Sequence, residues 1–174
     1  MDWIAIGRRI VYALLGMVAL IVVLALGALT PLDSETYETL LRQAESLASI
    51  AAMSPLNILA NNLLASLFMI IPAIGPVLSA YIVYVTGQVI SAISISQNIS
   101  PVILLLVPFV TVYGIIEMLA YGLAVSESVV FTYAIIKRRA RIELRRLPIV
   151  ILAVAGLLLV AALIEYFLIS LLTR

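Results

Sequence analysis

Between Glu45 and Glu117 the chain carries no Asp, Glu, Lys or Arg, a run of 71 consecutive residues from Ser46 to Ile116. About a quarter of the residues in a soluble domain are charged, so no water-facing surface can be built from such a stretch. The rest of the composition agrees. Of 174 residues, 65% are hydrophobic and 11% charged, and the mean hydropathy is +1.27. The expected fold class is therefore all-α, a polytopic membrane helical bundle, because a helix satisfies its backbone polar groups internally in lipid.

A crossing helix needs about 20 apolar residues, and residues 10–29 supply a first span after Arg8 and Arg9. A cleaved leader competes for this segment, since small residues follow its apolar run, but that run is too long for a leader core. Asp33 and Ser34 then read as helix caps. Tyr37, Leu40, Leu41, Ala44, Leu47, Ala48 and Ala51 recur at helical spacing, with Glu35, Glu38, Arg42 and Glu45 opposite them. Residues 34–52 are expected to form an external amphipathic helix, lying on the membrane or over the bundle, or else binding a partner. It lacks the basic face of helices that bind anionic lipid, which favours packing on protein.

Turn residues cut the charge-free region. They predict a second span at 57–71, ended by Pro72-Ala73-Ile74-Gly75-Pro76, and a third at 77–97, ended by Asn98-Ile99-Ser100-Pro101. Residues 102–113 are too short to cross and read as a re-entrant or half helix. Residues 115–136 form a fourth span, 137–147 a basic cytoplasmic loop, and 148–172 a fifth span with Pro148 in its first turn.

Eight of the ten Lys and Arg residues are Arg8, Arg9 and those of the 137–146 stretch. The positive-inside rule puts both regions in the cytoplasm. The first span leads out, so an odd number of crossings must precede Lys137, and the short 102–113 segment is the one left out. Five crossings result, with the N-terminus cytoplasmic and the C-terminus outside the cell membrane.

Carboxylates inside such a chain are costly and normally face the bundle interior. Glu117 follows the Tyr113-Gly114 break and shares a helix face with Tyr121, Ala124 and Ser128. Glu127 lies on a flank with Ala120 and Ala124, and neither acid has an obvious partner. Three readings of Glu117 compete: a hydrogen bond to the broken backbone, a proton or ion relay, and a polar docking point for another membrane subunit. Asn61 and Asn62 open their span as inter-helix contacts or residues of the wet interface. Ala120, Ala124 and Ser128 form a small-residue ridge permitting close helix approach. The candidate polar core is thus Glu117, Glu127, Tyr113, Gly114, Tyr121, Asn61 and Asn62, with Glu165 near the end of the last span. The arginines at 138, 139, 141, 145 and 146 could meet anionic headgroups, although topology alone accounts for them.

The chain has no His and no Cys. It therefore has no imidazole base, no thiolate nucleophile and no ordinary zinc or haem ligand set, so neither a cofactor nor a metal is expected. Ser126-Glu127-Ser128 has no base beside it, and no phosphate loop or hydrolase elbow occurs. A net charge of +1 argues against nucleic acid. The excess of Arg over Lys, with much Ile, Val and Ala, is compatible with a thermophilic source.

In this order, several stretches resemble the SpoIIM family, stage II sporulation protein M and its archaeal relatives. They are Asn61-Asn62, Ile71-Pro72-Ala73-Ile74-Gly75-Pro76, Thr86-Gly87, Tyr113-Gly114-Ile115-Ile116-Glu117-Met118-Leu119-Ala120 and Ala161-Ala162-Leu163-Ile164-Glu165. The resemblance spans roughly residues 1–172. It departs at Tyr113, where the family commonly has His within Pro-His-Gly, so no role of that His carries over. The resemblance implies a membrane component that anchors partners in a complex, as in the bacterial cell-wall-remodelling machinery, and implies no peptidoglycan chemistry here. The expected protein is a non-enzymatic scaffold in the lipid bilayer, as a homo-oligomer or with other membrane subunits. The alternative is a transporter or channel for an ion or small solute, with Glu117 in its polar path.

Overall fold

The apolar runs and their Pro, Gly and Asn interruptions become seven helices over residues 6–172, the part described by the computed structural model. They are α1 (Ile6–Ala28), α2 (Ser34–Ala51), α3 (Pro55–Ile70), α4 (Gly75–Gln97), α5 (Pro101–Val110), α6 (Tyr113–Ile136) and α7 (Ala140–Leu172). Four are long and apolar enough to cross a membrane: α1, α4, α6 and α7. At 1.5 Å per residue, the 16 residues of α3 rise only about 24 Å and the 10 of α5 about 15 Å.

Sequence chemistry sets the boundaries. Asp33 caps α2 by accepting from the Glu35 and Thr36 amides at 3.1 and 2.9 Å. Ser54 accepts from the Leu56 amide at 3.2 Å, ahead of Pro55 in the first turn of α3. Asn98 ends α4 in the left-handed conformation, φ 54, where the Ile99 amide returns to the Ser94 carbonyl at 3.0 Å. Val112, at φ 73 and ψ −31, separates α5 from α6. A β-branched residue rarely adopts such a φ, and Gly114 lets the next turn pack directly against Pro108.

One boundary differs from expectation. The last helix starts at Ala140, so residues 140–147 are helical and Pro148 lies inside α7 rather than in its first turn. The chain reverses at Arg138, φ 57, immediately after α6. Pro148 is exposed, so its ring faces away from the packed side of α7, and the lost backbone bond is a local cost.

The chain runs back and forth along one bundle. Arg9 of α1, Glu127 of α6 and Glu143 of α7 meet at one end, here called the Arg9 end. α1 and α6 are antiparallel, with Gly16 against Gly122. α3 returns from the α2 end, and its following turn lies beside α6, where Ser128 donates to the Ile71 carbonyl and Thr132 accepts from the Ala73 amide. α4 then runs the other way, crossing α1 where Gly27 meets Gly87 so closely that a methyl on either would overlap the partner backbone. Among the buried residues of the core are Leu20, Leu24, Met69, Val83, Met118, Ala124, Val154 and Leu158. The small ridge of Ala120, Ala124 and Ser128 is fully buried within this bundle.

Candidate polar sites

Two polar centres emerge, one toward each end of the bundle. Toward the α2 end, Glu117, Tyr121, Asn61 and Asn62 come together around a cavity of about 170 Å³, with Thr86 of α4 and Gln43 and Leu47 of α2 also in its wall. Helical spacing puts Tyr121 one turn after Glu117, and its hydroxyl donates to Glu117 Oε1 at 2.6 Å. Asn61 Nδ2 donates to Asn62 Oδ1 at 3.2 Å. Asn62 is buried and Asn61 exposed, so the pair reaches from the interior to the bundle surface. Glu117 is the only Asp, Glu, Lys or Arg among the described residues lining the cavity. Glu165 of α7 and the half-buried Tyr113 lie near Glu117. The partner of Glu117 is thus the Tyr121 hydroxyl, one turn along the same helix.

At the other centre, Arg9 Nη1 donates to Glu127 Oε2 at 2.9 Å, and Arg9 Nη2 donates to both oxygens of Glu143 at 2.6 and 2.7 Å. Glu143 is fully buried and Glu127 nearly so. Arg9 Nε and Glu127 Oε1 are buried with no hydrogen-bond partner among the described residues. Glu127 therefore does have a counter-charge, contrary to the sequence reading. One residue of α1, one of α6 and one of the basic stretch are clamped together.

The two centres are separate. The ten residues from Glu117 to Glu127 rise about 15 Å, and the apolar core around Met118, Ala124, Val154 and Leu158 occupies that interval. Of the seven candidate residues, four line the cavity, Tyr113 and Gly114 sit at the helix break beside it, and Glu127 belongs elsewhere. Sequence reasoning missed Arg9 and Glu143 as partners, and Gln43 and Thr86 as cavity lining. The one available signal was Glu143 as the lone acid within the basic 137–146 stretch. No group of three or more metal-ligating acidic side chains occurs among the described residues.

Comparison with known proteins gives one match. The family described as SpoIIM, Stage II sporulation protein M, matches residues 9–168. No curated protein and no solved structure matches the chain.

Proposed function

The chain belongs to the SpoIIM family, and from that premise we propose that it is a non-enzymatic, membrane-embedded subunit that scaffolds a membrane complex, as a homo-oligomer or beside other membrane proteins. The observation that carries this reading is the pairing of polar groups within the bundle. Arg9 holds Glu127 and Glu143, Tyr121 holds Glu117, and an apolar core separates the two sets. A body whose two polar centres are each held by contacts within the bundle and are not joined suits a fixed framework better than a conduit.

Transport of an ion or small solute is the second reading, favoured by the convergence of Glu117, Tyr121, Asn61 and Asn62 on one cavity. Irregular backbone at membrane depth, as at Val112, is a recurring feature of transporter sites. Proteoliposomes separate the two. A proton or cation flux lost in Glu117→Gln would overturn the scaffold reading. Absence of flux, with co-purification of a membrane partner or of a stable oligomer, is the expected result.

A further inference from the structure

We propose that the groove between α1 and α6 at the Arg9 end binds the headgroup of an anionic phospholipid. The groove is lined by Arg8, Tyr12, Val129, Tyr133, Lys137 and Arg139, together with Val130, and holds about 660 Å³. That lies within the range of about 300–1,000 Å³ usual for small-molecule sites. Among the described lining residues, three are cations and none is an acid.

The absence of acids from this wall follows from the packing. The acidic side chains described at this end, Glu127 and Glu143, turn inward onto Arg9, and Arg8, one residue earlier, and Lys137 lie on the outside, lining the groove. Tyr12 lies one turn after Arg8 and Tyr133 one turn before Lys137. A rim of cations at the helix ends therefore leads to an aromatic and apolar wall one turn farther into the bundle. Tyr12, Val129 and Tyr133 are all exposed on the bundle surface, and Lys137 Nζ stands 5.4 Å from the Tyr133 ring centroid. Tyrosine at this depth suits the headgroup boundary.

A phosphate is the chemistry this rim recognises, and it has two sources, a lipid or free anion. The wall of Tyr12, Val129, Val130 and Tyr133 commits the site to the lipid, because a free phosphate has no use for Tyr12 and Val129, whereas the glycerol and first acyl carbons do. Of the five arginines at 138–146, only Arg139 lines the groove, so the site is distinct from a diffuse basic surface.

The test is lipid titration of the full chain in neutral detergent, read by native mass spectrometry and by thermal melting. Phosphatidylglycerol should remain bound and raise the melting temperature, while phosphatidylcholine and inorganic phosphate should do neither. R8Q with K137Q should weaken phosphatidylglycerol binding about 25-fold, or about five-fold per cation, the equivalent of about 1 kcal/mol each near a membrane surface. R141Q with R145Q removes the same charge outside the groove and should change binding less than two-fold. V129W fills the wall without altering charge and should also weaken binding, which keeps the test open should the charge variants fail to fold. Equal loss in the two charge variants, equal binding of phosphatidylcholine, or stabilisation by inorganic phosphate alone would each overturn the proposal.

Discussion

Replacing Arg9 by Gln withdraws one guanidinium from two carboxylates that accept three hydrogen bonds from it. Breaking a buried pair by removing one partner typically costs about 3–5 kcal/mol. Arg9→Gln should therefore lower the unfolding free energy in detergent by about 3–5 kcal/mol, read as an earlier midpoint, and adding Glu127→Gln and Glu143→Gln should recover part of the loss. At the other centre, the Tyr121 hydroxyl is the donor and Glu117 the acceptor. Tyr121→Phe should cost about 1–3 kcal/mol by stranding that oxygen, while Glu117→Gln keeps an acceptor and should unfold at close to the parent midpoint. The inward placement of Glu117 and Glu127 was legible in the sequence because charge in lipid is expensive. Their partners were not. Glu117 pairs along its own helix, but Arg9 and Glu127 lie 118 residues apart, and only the antiparallel packing of α1 on α6 brings them together.

Helix α2 depends on its first turn. The Thr36 amide, then the Thr36 hydroxyl and the Glu35 amide, hold the Asp33 carboxyl below its usual value of 3.8. A carboxyl lowered in the folded chain supports folding above its ordinary value, and that support is lost as the pH falls through the lower folded value. Protection of the Glu35 and Thr36 amides against hydrogen exchange, measured relative to free-peptide rates at each pH, should thus be present at neutral pH and be lost below about pH 3.8, and in Asp33→Ala it should be absent throughout. The cap was readable in the sequence, since Asp33 precedes an apolar stripe at helical spacing. The stripe itself is narrower than its pattern: Leu40 and Ala44 are buried, whereas Leu47 is exposed. The later part of the stripe, with Leu47 and Ile50, stays exposed. The α1–α4 crossing was less legible, because a Gly in an apolar helix does not reveal its partner. Gly87→Leu should destabilise by about 1–3 kcal/mol or more through overpacking against Leu24 and Ala28, measured by the same unfolding assay.

At the scale of the whole molecule, the Arg9–Glu143 contact puts the beginnings of α1 and α7 at the same end of the bundle. The chain has no Cys, so single-cysteine variants report topology cleanly. With the basic end in the cytoplasm, Ala140→Cys should resist an impermeant maleimide added to intact cells, and Ser46→Cys in α2 should react. The all-helical membrane architecture was legible because hydropathy counts residues without needing their partners. The start of α7 was not, since a Pro tolerated inside a helix and one that begins it look alike in sequence. The brevity of α3 has a mechanical consequence. Its outward Leu56, Leu64, Leu67 and Phe68 are exposed, yet its 16 residues rise about 24 Å against a hydrocarbon layer of about 30 Å. Lipid beside α3 must compress or the helix must sink, at a fraction of a kcal/mol per Å. A 16-residue apolar helix of this kind leaves the hydrocarbon layer thinner on one flank of the bundle than beside its longer neighbours.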